Sequence, residues 1–391
     1  MKKIVPLIIL SIIIAAQTAF SATIIKNRLT PAESRFVLED PSTWRGVNLP
    51  LYFNKPVEGN LSQHDFDYAA EAGANIIRLN LFADLKDRRI NHFTDEDGTI
   101  LKENTGMTEL NNAVTWAHNS GLKILIDFHS MPGFANGEIW TSDKHWDVFA
   151  SIWKLIATKL KDDPTVVAYD LMNEPNIITY LNDPGANKEM FQGSWSPPSR
   201  WKGTAGDYNL HIKKIIDDIR TIDPTRWIVI EGFGMLGNPT NFNWMKPVNL
   251  DDKHIIYSFH MYVPTSLTNI GTKEFINRNL VGEPFDQATD MRKIDDALAP
   301  VIAFQKKYKV PIFVGEFGVT NDAIFKSDEH GTPYNGACWL NVIVNKINEL
   351  KWGWTFWSFW VDIRKPQSKD DPRYLILQKA FTGETVTGYC K

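Results

Sequence analysis

The sequence predicts a closed (β/α)₈ barrel, and three observations predict it. Eight short apolar, β-branched or aromatic runs are spread along the chain. Amphipathic helical patterns lie between most of them, an alternation that implies a parallel sheet covered by helices. The polar side chains that interrupt the runs sit at their C-terminal ends, the face on which barrels place their active sites.

The candidate strands are Trp44–Leu49, Asn75–Leu81, Lys123–His129, Val166–Met172, Arg226–Glu231, His254–Tyr262, Pro311–Phe317 and Gly353–Phe359. The first helix, Ser62–Ala72, opens on a serine cap and stops at Gly73. Thr108–Asn119 begins on a threonine and ends before Gly121. His145–Leu160 carries Val148, Ile152, Leu155, Ile156 and Leu160 on one face. Asp207–Ile222 places Leu210, Ile215, Ile216 and Ile219 together and stops at Pro224. Thr289–Tyr308 and Tyr334–Leu350 follow the same logic. Two longer segments, Asn176–Ala205 and Pro264–Gln287, follow strand ends and read as substrate-shaping loops.

The bulk numbers agree with one large barrel. The chain has 391 residues, with 43% hydrophobic and 23% charged residues, enough for a sizeable core. The net charge of −4, without any block of Lys or Arg, gives no reason to expect a nucleic-acid or anionic-membrane partner. Some of the 14 Trp belong to a core, and a surplus also suits stacking on the apolar faces of sugars.

Lys2 and Lys3, the apolar run Ile4–Ala16 and the small residues around Ser21 and Ala22 read as a secretory signal. The run is shorter than the ~20 residues of a membrane-spanning helix. The expected organisation is therefore a signal over residues 1–22 and one catalytic domain over 23–391, secreted or periplasmic, with a monomer as the default. Cys338 and Cys390 are the only cysteines. They leave two readings, a disulfide tying the tail to the last helical region or two buried thiols. The nine His are scattered, without a His-x-x-x-His pair, so no metal or other cofactor is expected.

At the strand ends stand Arg78, His129, Asn173, Glu174, His260, Tyr262, Glu316 and Trp357. Two carboxylates, Glu174 and Glu316, suit glycoside cleavage, which needs one acid for the leaving oxygen and one carboxylate to attack or to activate water. Arg78 beside Glu316 would keep it ionised, and Glu174, poorer in cations, would hold its proton. Glu231 also ends a strand and ranks as supporting or substrate-contacting rather than catalytic. Asp127 and Asp170 lie deeper, where internal hydrogen bonding is expected. Trp140, Trp195 and Trp201 are loop residues that serve either as sugar platforms or as core. Alternation places Trp354 on the opposite face from Trp357.

Asn173-Glu174-Pro175, His260-x-Tyr262 and Gly315-Glu316-Phe317-Gly318 together resemble glycoside hydrolase family 5, a family of retaining barrel glycosidases. The resemblance implies Glu174 as acid/base and Glu316 as nucleophile. It further implies Asn173 on the sugar 2-hydroxyl, Arg78 and Tyr262 supporting Glu316, His260 beside Glu174, His129 on the sugar, and Trp357 stacked beneath it. It implies a β-linked polysaccharide or oligosaccharide substrate, with an internally cut β-1,4-glucan as first choice. Mannan is an alternative. The segment Asp127–Gly137 is similar to a loop of the exo-acting β-1,3-glucanase branch, so that reading also stands. A barrel that binds carbohydrate without cleaving it is the non-enzymatic alternative.

Overall fold

The computed structural model describes residues 40–52, 61–82, 92–95, 99–130, 137–176, 199–234, 237–358 and 370–390. The expected export segment, Trp195 and residues 131–136 lie outside the described residues. Eight parallel strands close into a barrel in chain order. They are β1 (Arg45–Tyr52), β2 (Ile76–Phe82), β3 (Lys123–Ser130), β4 (Val166–Asp170), β5 (Trp227–Glu231), β6 (Ile255–Met261), β7 (Ile312–Phe317) and β8 (Gly353–Phe356). Closure is made by β1, which pairs with both β2 and β8. The expected fold class is the observed one.

The larger helices are α1 (Gln63–Ala72), α2 (Thr105–Ser120), α3 (Asp143–Leu160), α4 (Tyr208–Arg220), α5 (Gln287–Tyr308), α6 (Gly336–Glu349) and α7 (Pro372–Phe381). Their starts show why helix boundaries are hard to read. α2 begins three residues before Thr108, because the Asn104 side chain caps it by accepting from the Met107 amide at 2.9 Å. α5 likewise starts ahead of Thr289, capped by Asp286. α1 has the reciprocal Ser62/Asp65 cap and ends at Gly73, whose φ of 105° suits glycine. Strand β4 stops at Asp170 instead of running to Met172.

Strand alternation sorts the side chains into two layers. Ile77, Leu79, Ile126, Tyr169, Ile230 and Phe259 face outward into the main core under the helices. A separate buried cluster of Trp44, Ile76, Leu125, Val167, Ala168, Val229, Ile256 and Phe313 takes at least one residue from each of β2 to β7 and fills the barrel interior. Two residues further along each inward row, polar groups begin: Arg78 after Ile76, Asp127 after Leu125, Asp170 after Ala168, Glu231 after Val229. The lower barrel is thus apolar and the upper barrel charged.

Strand β7 breaks the rule. Counting by twos from Phe313 would turn Glu316 toward the helices. Instead Val314 pairs with Phe259 and Glu316 with His260, skipping Gly315. This bulge returns Glu316 to the inner face. Asn48 Nδ2 and Thr355 Oγ1 donate to the Gly315 carbonyl at 3.0 and 2.6 Å. A Cβ at Gly315 would sit 2.9 Å from Ser258 Oγ and 3.1 Å from His260 Nε2, closer than a side chain tolerates.

Helix α7 was not among the expected elements. Its apolar residues lie nearly all round it, so no single face announces it. Asp371 caps it, and Phe381 stacks on the outward face of Trp354 at 5.2 Å. Cys390, beyond α7, is bonded to Cys338 in α6, with a Cα separation of 4.6 Å. Of the two readings of this pair, the disulfide is the observed one. The bond closes a loop of 52 residues, for which chain entropy predicts about 2–4 kcal/mol of stabilisation. Calorimetry of the Cys338→Ser, Cys390→Ser double variant should show a lowered Tm; an unchanged Tm would mean that the reduced chain is already constrained there.

Candidate active site

Arg78 is the hub of the barrel mouth. It is fully buried, and its planar fork of five N–H donors faces five strands at once. Nε donates to Asp170 Oδ2 at 2.9 Å. Nη1 donates to Glu316 Oε1 at 3.0 Å and to Asn48 Oδ1 at 3.1 Å. Nη2 donates to Asn173 Oδ1 at 3.0 Å and to Glu231 Oε1 at 3.2 Å, and lies 3.0 Å from Asp127 Oδ1. Burial works against the charge on Arg78, but Asp127, Asp170, Glu316 and Glu231 outweigh it and raise its pKa well above the ordinary value. Beneath it the carboxyls divide. Burial pushes Asp170 well above the usual carboxylate range in spite of Arg78. Asp127 is held below that range, because Arg78 and His129 overcome its burial.

Both oxygens of Glu316 are engaged. Arg78 holds Oε1, and the Tyr262 hydroxyl donates to Oε2 at 2.9 Å. Burial and then the Glu316 charge raise the Tyr262 phenol well above its ordinary value, so it stays a donor. Glu174 stands across the mouth with its side chain 25% exposed. Its backbone is left-handed, φ 44°, unusual for a residue with a side chain. The expectation that Glu174 is poor in cations is corrected here. His260 Nδ1 lies 2.8 Å from Glu174 Oε1. Burial favours the neutral acid, but the His260 hydrogen bond and charge outweigh it and hold the carboxyl below its usual range.

His129 Nδ1 is 2.9 Å from Asp127 Oδ2, which leaves Nε2 directed toward Asn173 Nδ2, 3.5 Å away. The His129 ring lies flat on Trp357, with centroids 5.0 Å apart and planes 6° from parallel. All eight expected site residues are therefore in one mouth, within a network of direct contacts. Trp140 and Trp201 are not platforms. Both are buried and pack edge-on against Phe233. Sequence reading missed Asn48 and Asn80. Both are buried inward residues, and Asn80 donates to Asn48 at 2.9 Å and to Asp127 at 2.8 Å. For Asn80 a signal was available, a polar residue in the inward phase of a strand two after Arg78; Asn48, alone on β1, had none.

Glu174, His260 and Glu316 each bring one oxygen or nitrogen to within 4.8 Å of the others. His260 contacts both glutamates, and the three groups join Arg78, Tyr262 and Glu231 in one network of hydrogen bonds and ion pairs. Beside Tyr262 and Trp357 a cavity of about 410 Å³ opens between the segments that follow β6 and β7, bounded by Asn269, Thr272, Thr320 and Asp322. The long segment after β6 thus reaches the mouth.

A closed barrel whose mouth sets two glutamates a few ångströms apart around an arginine hub has the architecture of a barrel glycoside hydrolase. The chain belongs to the cellulase family, glycosyl hydrolase family 5, whose family model matches residues 36–362. It is a glycoside hydrolase. It is 23% identical over 358 residues to endoglucanase C of Acetivibrio thermocellus, covering 82% of this chain and 92% of that one. It is also 23% identical over 323 residues to the probable glucan 1,3-β-glucosidase A of Aspergillus niger, covering 76% and 69%. Among solved structures, endoglucanase Cel5A of Thermotoga maritima superposes with a TM-score of 0.67 at 19% identity, covering 86% of this chain and 98% of that one.

Proposed function

We propose that this enzyme cuts internal β-1,4 linkages of a glucan with retention of anomeric configuration. The observation that carries retention is distance. One oxygen of Glu174 and one of Glu316 lie within 4.8 Å. Retaining enzymes set their carboxyls about 5–5.5 Å apart, whereas inverting enzymes need about 6.5–9.5 Å to admit a water between them. The endoglucanase relatives support the choice of β-1,4-glucan.

In the first step Glu316 attacks the anomeric carbon while Glu174 gives its proton to the departing glycosidic oxygen. Arg78 and Tyr262 hold the attacking carboxylate in place and limit its rotation. In the second step Glu174 takes a proton from water, and that water displaces Glu316 from the sugar. Asn173, with Oδ1 fixed by Arg78, has Nδ2 left for the sugar 2-hydroxyl. His129 Nε2 serves a second hydroxyl, and Trp357, braced by His129, forms the floor. The reaction needs no cofactor.

The signal-like residues 1–22 support export, to the periplasm or the medium, with residues 23–391 acting as one monomeric catalytic domain. Among the described residues no helix is long and apolar enough to cross a membrane. An exo-acting β-1,3-glucanase is the second reading, favoured by the Asp127–Gly137 segment and by the Aspergillus niger relative. Viscosity and reducing-sugar release on carboxymethyl-cellulose, mixed-linkage glucan, glucomannan, galactomannan and laminarin separate the two. Rapid viscosity loss on the cellulosic substrates is expected. Activity confined to laminarin or to mannan would overturn the β-1,4-glucan reading and keep the two-glutamate chemistry.

A further inference from the structure

Glu231 is fully buried at the end of β5, and three functional groups meet on its two oxygens. Oε2 accepts from the backbone N–H of Glu174 at 2.9 Å. Oε1 accepts from Arg78 Nη2 at 3.2 Å and lies 3.0 Å from His260 Nε2. The last contact is an ion pair by distance and not an aligned hydrogen bond, so charge carries it. The other nitrogen of the same ring, Nδ1, meets Glu174 Oε1 at 2.8 Å. Glu231, His260 and Glu174 therefore form a row of carboxylate, imidazole and carboxylate. The Glu231 main chain is pinned as well, since the Tyr208 hydroxyl donates to its carbonyl at 2.8 Å.

We propose that Glu231 is a positioning residue that fixes where the acid's proton resides, by holding the His260 ring and the Glu174 backbone together. This rests on Glu174 being the acid/base. The Glu174–His260 pair carries one exchangeable proton between Oε1 and Nδ1. With the proton on His260, the ring is a cation between two carboxylates. With it on Glu174, the ring is neutral and the acid holds the proton that the glycosidic oxygen receives. Delivery leaves Glu174 ionised, ready to take a proton from water. The negative charge of Glu231 retains the pair's proton to higher pH, and its hold on the Glu174 N–H keeps the left-handed backbone from relaxing. Burial opposes the charge on His260, but Glu231, Glu316 and Glu174 raise its pKa well above the ordinary value. The other charged or titratable groups facing the row are Arg78 from β2, Asp127 and His129 from β3, Asp170 from β4, Tyr208 from α4 and Tyr262 after β6.

The test is the pH dependence of kcat/KM for Glu231→Gln and Glu231→Asp on two substrates, a cello-oligosaccharide and an aryl cellobioside whose leaving group departs without protonation. Removing a negative charge beside the pair lowers the pKa for loss of its proton. The basic limb of Glu231→Gln is therefore expected to move to lower pH by about one unit. The cello-oligosaccharide rate should fall about 10- to 100-fold, part of the 10²–10⁴-fold that general acid catalysis supplies. The aryl substrate should lose much less. Glu231→Asp keeps the charge and should restore the limb. A folded Glu231→Gln with an unmoved limb and equal losses on both substrates overturns the proposal. Should that variant not fold, ¹⁵N NMR of histidine side chains in the unaltered protein decides. Titration of the His260 signals clearly above the ordinary histidine value of about 6.5 supports it, because the pair then keeps its proton to higher pH, and titration at or below that value overturns it. If the acid/base assignment is itself at fault, Glu174→Gln leaves cello-oligosaccharide cleavage intact, an outcome distinct from either result for Glu231.

Discussion

Replacing Glu316 with Gln should lower kcat by about 10⁴-fold or more while leaving the fold intact, the scale of loss seen when a covalent nucleophile is removed. Gln is nearly isosteric with Glu. Its carbonyl oxygen can still accept from Arg78, now 3.0 Å from Oε1, and the Tyr262 hydroxyl can turn to accept from the amide. The loss would therefore report missing nucleophilicity and not a collapsed site. A sharper form uses Glu316→Ala. With an activated aryl glycoside, added azide should restore turnover by entering the vacated space, giving a glycosyl azide of inverted anomeric configuration. Product configuration by NMR is the measurement. Substantial activity in Glu316→Gln, or an azide product of retained configuration, would sink the nucleophile assignment.

The second large effect is expected at Arg78. Arg78→Met removes the cation on which Asp127, Asp170, Glu231 and Glu316 converge, all in a fully or almost fully buried setting. Breaking a buried ion pair from one side typically costs about 3–5 kcal/mol, because the remaining charge is left uncompensated. The sign with pH follows directly. Without the cation, the folded-state pKa values of the surviving carboxyls rise above their unfolded values. A raised acid contributes stability below its unfolded pKa and loses it as pH rises through the folded one. The Tm deficit of Arg78→Met should thus be large at pH 7 and shrink toward pH 5. Activity should fall about 10²–10³-fold, as for loss of one preorganised donor at a reacting group. Lysine should not rescue it, since a single ammonium cannot reach Asp170, Glu231 and Glu316 together. A deficit independent of pH would show that Arg78 acts by packing instead of by charge.

The eight candidate side chains were legible because a barrel is periodic. Seven lie at or just past the C-terminal end of a strand and Arg78 lies on the inward face of β2, and in that fold such positions meet. Boundaries were less legible, since the caps Asn104 and Asp286 lie outside the apolar periodicity that marks a helix. Helix α7 was missed because its apolar residues crowd no single face. Trp140 and Trp201 were open to two readings. Their burial depends on Phe233, distant from Trp140 in sequence and brought to it only by the fold.

By itself the sequence determined the barrel, the family and eight of the polar and aromatic residues at its mouth. Those follow from local periodicity and from short motifs, which need no third dimension. Tertiary structure decided the rest. The Gly315 bulge turns Glu316 inward against simple alternation, because Asn48 on β1 and Thr355 on β8 bind the displaced carbonyl. The electrostatic setting of Glu174 was decided in the same way: β6 brings His260 to 2.8 Å from it, and β5 sets Glu231 behind that ring. Electrostatic interaction depends on distance through space, and those distances exist only once the sheet has closed.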